Sequence, residues 1–300
     1  GTGAAAGPLP LVALALMTVG LAAKPALFPL HGWLPPAHAA APAPGSAILS
    51  ALVVKGSFYI VVRLWVDVYG LGVLAAPGVL LPGLMGAGAI LWGSAMALRQ
   101  WSLKRLIAYS TVAQLGYLFV MFALLASPES HGGTGGLHPS AWTGGILHAL
   151  THATAKAAMF LAAGSMSYAV ARDDIRAISG IAHRIPMTFL AFGLGGIALA
   201  GIPPSGGFLA KWLLLEAALD RGAWGWVVLL ALGGLLTLGY VLRVLGYALD
   251  RTDPPEHFRT VPRRMEWTAL ALALLAVLMG LRAGGIVDRL ALALPTGGVP

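Results

Sequence analysis

The 300-residue sequence contains no cysteine and few charged residues. Without thiols the chain cannot form disulfides, thiolate metal sites or cysteine-held iron–sulfur clusters. Only 10% of the residues are charged and 58% are hydrophobic, whereas a soluble domain carries about 25% charged residues. Walker, dinucleotide-binding and nucleophile-elbow motifs are also missing from the sequence. This composition indicates a membrane protein.

Apolar runs long enough to cross a bilayer recur along the sequence. They predict an all-α membrane protein, a polytopic bundle of about eight transmembrane helices of which two are broken. The expected spans are 9–27, 45–65, 76–98, 104–126, 141–169, 186–219, 223–248 and 266–283. None of the connections is long enough for a soluble domain, and we expect the final PTGGVP to be disordered.

The net charge is +8. Most of the cations in the connections fall on one side of the predicted membrane topology, so the charge does not indicate a nucleic-acid site. If the spans alternate in direction, one side receives the connections 28–44, 99–105, 170–185 and 249–265. The cations on that side are Arg99, Lys104, Arg105, Arg172, Arg176, Arg184, Arg251, Arg259, Arg263 and Arg264. The opposite side holds Arg63, Arg221, Arg282 and Arg289. The positive-inside rule then places the first side in the cytoplasm and both chain ends on the outer side of the plasma membrane.

Two proline-rich stretches are expected to break helices. Prolines at 25, 29, 35, 36, 42 and 44 forbid a continuous helix through residues 25–44. The stretch 186–219 is too long for one span and is interrupted by GIPPSGG, which contributes Pro203, Pro204 and Gly206. Broken helices at membrane depth are a pointer to transport sites, although a break can also serve packing alone. We favour transport because charged residues accompany both breaks.

Five cations fall inside the predicted spans: Lys24, Lys55, Lys156, Lys211 and Arg243. An ionised side chain at the bilayer centre costs at least about 2.5–3.5 kcal/mol, so such residues usually face a polar interior. For Lys55, Lys156 and Lys211 the position favours a functional role. For Lys24 function and snorkelling stay equally open. Arg243 lies near a helix end and is interpreted as an interfacial residue.

The stretch HALTHATAKAAMFLAAG places His148, His152 and Lys156 four residues apart, so they share one helix face. Buried lysine and histidine can exchange protons near neutral pH, and a water-linked file of such groups can conduct protons. Glu216, five residues after Lys211, is a candidate supporting group. The histidine pair could instead bind zinc, but Ala149 stands where a zinc-protease motif has glutamate and no third ligand follows, so we expect no metal. Structural histidines bonded to backbone carbonyls remain an open alternative.

Four segments of the sequence resemble the antiporter-like membrane subunits. They are KPALFPLHGWLPPAHAAAPAPGSAILSALVVKGSFYIVVRLW (24–65), LKRLIAYSTVAQLGYLF (103–119), HALTHATAKAAMFLAAGS (148–165) and IPMTFLAFGLGGIALAGIPPSGGFLAKWLL (185–214). That family unites proton-pumping subunits of respiratory complex I, the D-type and related subunits of Mrp cation/proton antiporters, and membrane subunits of energy-converting hydrogenases. The resemblance implies two inverted five-helix repeats that each carry a half-channel along a polar axis.

The resemblance also assigns residues. It maps the lysine of the first broken helix onto Lys24 and that of the next helix onto Lys55. The central group corresponds to His148, His152 and Lys156, and the charged residue after the second break corresponds to Lys211.

The sequence departs from the family pattern in two ways. It starts about where the seventh of the family's roughly fourteen helices would, without Met or a signal-peptide pattern, so we expect a fragment or one part of a longer protein. The implied division is residues 1–70 for the last two helices of the first repeat, 71–250 for a complete second repeat and 251–300 for a final transmembrane helix and tail. The glutamate that pairs with Lys24 in the family has no counterpart here, and Pro36 stands where relatives commonly have an acid.

The predicted function is proton translocation by one subunit of a multisubunit complex, coupled to quinone-linked, NADH dehydrogenase-type electron transfer. The subunit would be a non-redox part of an NADH:quinone oxidoreductase or a hydrogenase-type complex and would hold no cofactor itself. An Mrp-type Na⁺/H⁺ antiporter subunit and a non-conducting structural subunit are the alternatives. The expected partners are other membrane subunits, protons or Na⁺, and lipid, but not nucleic acid.

Overall fold

The computed structural model describes residues 8–68, 80–125, 137–250 and 258–293, and these residues are almost entirely helical. The all-helical class predicted from the sequence is thereby confirmed. The helices are α1 (Pro8–Ala23), α2 (Leu34–Ala40), α3 (Ala43–Asp67), α4 (Leu80–Arg99), α5 (Leu103–Leu125), α6 (Pro139–Val170), α7 (Pro186–Ala200), α8 (Gly206–Asp220), α9 (Trp224–Leu249), α10 (Arg263–Leu281) and α11 (Ala283–Leu292).

Among the described helices, five are long and apolar enough to cross a membrane: α3, α4, α5, α9 and α10. The predicted spans 9–27 and 141–169 overlap α1 and α6, which are not among these five, and 186–219 is divided into α7 and α8. The first residues of the predicted span 76–98 and the final PTGGVP lie outside the described residues. Helix α11 follows the last predicted span and was not expected as a separate element.

The first proline-rich stretch is a break with a short helix inside it. Helix α1 ends at Ala23, whose carbonyl accepts a hydrogen bond from Trp33 Nε1 at 2.8 Å. The prediction that prolines forbid a continuous helix is confirmed, but α2 forms because Pro35 and Pro36 occupy its first turn. Proline is tolerated there because the first backbone N–H groups of a helix have no intrahelical acceptor.

Helix α5 is the centre of the bundle. Every residue from Ser110 to Leu125 is buried. Helices α4 and α5 approach closely at glycines, since a Cβ at Gly116 would lie 2.4 Å from the Gly86 carbonyl oxygen. Small residues allow this backbone contact, as is common between membrane helices. The close packing fixes α5 as the surface against which the functional side chains lie.

The predicted cytoplasmic connections meet at one end of the bundle. Ile175 N donates to the Trp101 carbonyl at 2.8 Å, and the Asp173 carboxylate accepts from Ser102 Oγ at 2.5 Å. Arg243, at this end of α9, donates to the Leu98 carbonyl, and its guanidinium lies 4.2 Å from the Trp101 ring centroid. We call this region, formed by 99–105, 170–185 and the start of α10, the basic end.

Candidate functional site

The second helix break places Lys211. Helix α7 ends at Ala200, and Gly201 follows with φ +83°, a left-handed conformation that glycine adopts readily. The last carbonyls of a helix lack intrahelical partners and carry a partial negative charge. Lys211 on α8 satisfies one of them, because its Nζ donates to the Leu199 carbonyl at 2.6 Å. The break predicted over 201–207 therefore creates the binding site of an ammonium group.

Lys211 is half-buried and lines a cavity. The cavity has a volume of about 260 Å³ and lies among α7, α8 and α9. Its lining includes Gly201, Trp212 and Gly234. Lys211 is the charged residue in this lining, which otherwise consists of apolar side chains and glycine. The cavity therefore borders the ammonium group on this side of the bundle.

An aromatic path leads inward from Lys211. Its Nζ lies 4.2 Å from the ring centroid of Tyr117 on α5. The Tyr117 ring lies 5.4 Å from the His148 ring, and the His148 ring stacks on that of His152 with centroids 5.8 Å apart and planes 20° from parallel. The Tyr117 hydroxyl donates to the Leu230 carbonyl at 3.0 Å, which fixes the ring. Lys211 is thus joined to the histidine pair by ring contacts.

Lys156 completes the same face of α6. Its side chain is fully buried, and Nζ donates to the Ile107 carbonyl at 2.9 Å and to Ser110 Oγ. His148 contacts α5 further along, with Nε2 3.2 Å from the Gln114 carbonyl. The α5 axis rises about 15 Å from Ile107 to Tyr117, at about 1.5 Å per residue. These side chains therefore form a row along α5, from Lys156 near the basic end through His152 and His148 to Lys211. We call this row the file.

Lys55 joins this file through a π-helical turn. Residues Leu49–Val53 of α3 form a wide turn, and the Ser50 carbonyl accepts from the half-buried Lys55 Nζ. The Ser50 hydroxyl lies 3.1 Å from Thr111 Oγ1, so this turn packs on α5. Single π turns inside α-helices are frequent at functional sites. His152 lies within electrostatic range of Lys55.

The two histidines differ in their hydrogen bonding. His148 has a backbone carbonyl partner for one nitrogen, which agrees with the structural alternative for that residue. Both ring nitrogens of His152, which is 1% exposed, lack a hydrogen-bond partner among the described residues. An unpaired buried polar group costs about 1–3 kcal/mol. Apolar packing alone does not account for a buried imidazole with this cost.

Metal binding has no further support at this site. Within the part of the chain that the structure describes, no group of three or more His, Asp or Glu side chains is arranged to hold a metal ion. The pair of histidines alone leaves too few ligands for a structural or catalytic zinc site.

The sequence matches the family model described as NADH:quinone oxidoreductase/Mrp antiporter, TM, over residues 3–237. The chain belongs to this antiporter-like membrane family. It is therefore an integral membrane protein, as its composition predicts.

Three similar proteins show the breadth of the antiporter-like family. NADH-quinone oxidoreductase subunit N of Desulforudis audaxviator (strain MP104C) is 35% identical over 288 residues, which cover 91% of this chain and 55% of that protein. Na(+)/H(+) antiporter subunit A1 of Staphylococcus haemolyticus (strain JCSC1435) is 30% identical, with 92% and 36% coverage. A chain of the Mrp complex from Dietzia sp. DQ12-45-1b shares the fold, with a TM-score of 0.86, 24% identity and 99% and 61% coverage. This chain spans about half the length of subunit N, or 55%.

Two of the predicted site residues, Lys24 and Glu216, lie apart from the file. Lys24 is exposed at the end of α1, between Ala23 and the buried Pro25, and Pro29 is exposed further along the turn. Glu216 is half-buried and forms no salt bridge with Lys211 among the described residues.

Glu216 instead belongs to the end of the bundle opposite the basic end. Its carboxylate lies close enough to His138, the residue before α6, to favour the protonated imidazole. Burial lowers the pKa of His138, while the carboxylate of Asp220, 3.5 Å from its Nε2, opposes this shift. A residue five positions after Lys211 lies about 140° around the helix, which explains why Glu216 faces elsewhere.

Sequence reasoning missed the partners on α5. Ser110 and Tyr117 lie seven residues apart on one face of a buried helix, whereas Gln114 between them contacts His148 through its backbone carbonyl. That polar face was the available signal. His38, in LPPAHAAAP, was also missed, although a histidine in an apolar proline-rich stretch was a signal of the same kind.

Proposed function

We propose that the chain is a proton-translocating transmembrane subunit of a multisubunit membrane complex. The observation that carries the proposal is the file of lysine and histidine side chains along α5, in which the Tyr117 ring is the contact between Lys211 and His148. It runs from Lys211 through Tyr117, His148 and His152 to Lys156. Lys55 joins it from the side.

The chemistry of the file suits proton transfer. Among the described residues, no lysine takes part in a salt bridge. The lysines are held instead by carbonyl and hydroxyl oxygens and an aromatic ring, as with Lys156 at Ile107 and Lys211 at Leu199. Without a carboxylate counter-charge, each ammonium loses its proton more readily than a salt-bridged lysine would. Because neighbouring cations repel, occupancy of one site changes the affinity of the next, which is the coupling that a pump requires.

The energy source in our proposal is quinone-linked electron transfer in partner subunits. The similarity to NADH-quinone oxidoreductase subunit N supports this choice. Exchange for Na⁺ in an Mrp-type antiporter is the second candidate, supported by the similarity to antiporter subunit A1 and the fold shared with the Mrp complex chain. A non-conducting structural role would need the file to be inert.

The remaining assignments belong to the same proposal. The basic end faces the cytoplasm and both chain ends face outward at the plasma membrane, following the positive-inside rule. Residues 1–70 form the end of a first repeat, 71–250 a second repeat and 251–300 a final helix and tail. Lys24 and Lys55 then serve the first half-channel, and Lys211 is the terminal exchange site. The chain itself contributes no redox cofactor.

The native assembly, isolated through a tag on this chain, provides the test. We expect proton movement after reconstitution into vesicles, with iron–sulfur absorbance and hydrophilic subunits if electron transfer drives it. A colourless assembly with Na⁺-dependent proton movement would support the antiporter candidate. Lys211→Ala should reduce the flux at least about tenfold, since positioned proton-transfer groups contribute about 100- to 10,000-fold.

Arg282→Ala is the matched control for this experiment. Arg282 is an exposed cation at the end of α10, away from the file, and its removal should leave the flux unchanged. Equal flux in Lys211→Ala and wild-type assemblies would contradict the proposal.

A further inference from the structure

His38 is a buried imidazole without an assigned role. It lies on the short helix α2 between the two proline-containing turns and is 0% exposed. Neither of its ring nitrogens has a hydrogen-bond partner among the described residues. Buried polar groups are nearly always hydrogen-bonded, so an exception calls for a physical reason.

The position of His38 is next to Lys156. Its ring stacks on Phe160 with centroids 4.5 Å apart and planes 20° from parallel. Phe160 lies one helical turn after Lys156 on α6, so both project from the same face. His38 also lies within electrostatic range of Lys156 and Lys55. It therefore extends the file by one turn beyond Lys156.

This extension points toward the basic end. Helix α6 ends there at Val170, so Phe160 is closer to that end than Lys156 is. Three residues after His38, the Ala41 carbonyl accepts a hydrogen bond at 3.1 Å from Nζ of Lys104, which lies in the first turn of α5.

The backbone at His38 is also held in place. Ser46 Oγ on α3 donates to the His38 carbonyl at 3.2 Å. This bond fixes the main chain and leaves both ring nitrogens available.

We propose that His38 is the proton-binding group that connects Lys156 with the basic end of the bundle. This inference rests on the proposed function. The neutral imidazole takes a proton on one nitrogen from water at the basic end and becomes an imidazolium. It then releases the proton on its other nitrogen, through water, to the neutral amine of Lys156, which becomes an ammonium. The imidazole returns to its neutral form, so protons and charge balance at each step.

The charged groups that face His38 make this transfer depend on which of the neighbouring lysines are protonated. They are Lys156 on α6 and Lys55 on α3, with Lys104 on α5 bound to the following Ala41 carbonyl. All three are cationic when protonated, so a proton on His38 is favoured only when its neighbours are neutral. The geometry thus lets His38 refill Lys156 after Lys156 has lost its proton.

The first test is His38→Gln in the assembled complex. Glutamine preserves a polar side chain but cannot carry a proton. We expect proton flux to fall at least tenfold and its dependence on the pH at the basic end to flatten. The matched control is His183→Gln, the same change at an exposed histidine of the basic end. It should stay within twofold of the wild-type flux and retain the pH dependence.

Lys156→Ala, measured in the same experiment, separates the two hypotheses. Wild-type flux in His38→Gln together with lost flux in Lys156→Ala would overturn the role of His38 and leave the proposed function intact. Wild-type flux in both variants would overturn both.

A labelling experiment keeps the proposal testable if His38→Gln fails to assemble. These 300 residues contain no cysteine, so in His38→Cys a thiol adduct on a peptide from this stretch reports position 38 alone. A small membrane-impermeant methanethiosulfonate should modify the subunit when added at the basic side of oriented vesicles, as measured by mass spectrometry. Modification only from the opposite side, or none, would overturn the proposal.

Discussion

Tyr117 is the aromatic contact between Lys211 and the histidine pair. A cation over an aromatic face is stabilised by about 0.5–2 kcal/mol. Tyr117→Leu should therefore lower proton flux by about two- to thirtyfold, because Lys211 loses the ring that holds its charge toward the file. Tyr117→Phe keeps the ring and should stay close to the wild-type flux. An equal loss in both variants would show that the hydroxyl bond to Leu230, and not the ring, is what matters.

At the residue scale the sequence predicted the positions of the buried lysines and histidines better than the atoms that accept their hydrogen bonds. The i, i+4 spacing placed His148, His152 and Lys156 on one face, and the structure shows that face against α5. The acceptors at Ile107 and Leu199 are backbone carbonyls, which have no signature in a sequence. Their availability depends on a helix end or on how two helices pack, and that is tertiary information.

At the scale of elements, the crossing of α7 and α8 sets the position of Lys211. The two helices touch at Gly207, where a Cβ would lie 1.8 Å from the Ala198 carbonyl oxygen. Gly207→Ala should force the helices apart and destabilise the subunit by about 1–3 kcal/mol, as overpacking typically does. A lower unfolding temperature of the purified assembly is the expected observation.

Gly225→Ala serves as the control for this prediction. A Cβ at Gly225, in the first turn of α9, would meet nothing within 4 Å. Its unfolding temperature should match that of the wild type or rise slightly, because alanine favours helix over glycine. If Gly207→Ala were equally stable, the close crossing of α7 and α8 would be wrong.

The elements themselves were largely predictable. Long apolar runs gave the positions of the helices, and Pro203 and Pro204 gave the break between α7 and α8. The π turn Leu49–Val53 was not predictable, because one extra residue in a turn barely changes an apolar pattern. Helix α2 was missed because proline counts as a helix breaker except in a first turn.

At the scale of the whole molecule, the outer helices leave large apolar side chains uncovered. On α10, Trp267, Leu274 and Leu278 are 56%, 42% and 50% exposed. Such a surface is stable against lipid or another membrane subunit but not in water. This agrees with membership of an antiporter-like family and with a chain that covers 61% of the Mrp complex chain whose fold it shares.

The central claim is that Lys156 passes protons and does not merely supply a positive charge. The most direct measurement is proton flux through reconstituted native assemblies that carry Lys156→Arg, with the amount of assembled subunit measured through the tag. Arginine keeps the charge and the hydrogen-bond donors, but it stays protonated in proteins. Our account predicts a loss of flux of at least about tenfold, as large as in Lys156→Ala. Wild-type flux in Lys156→Arg would contradict it.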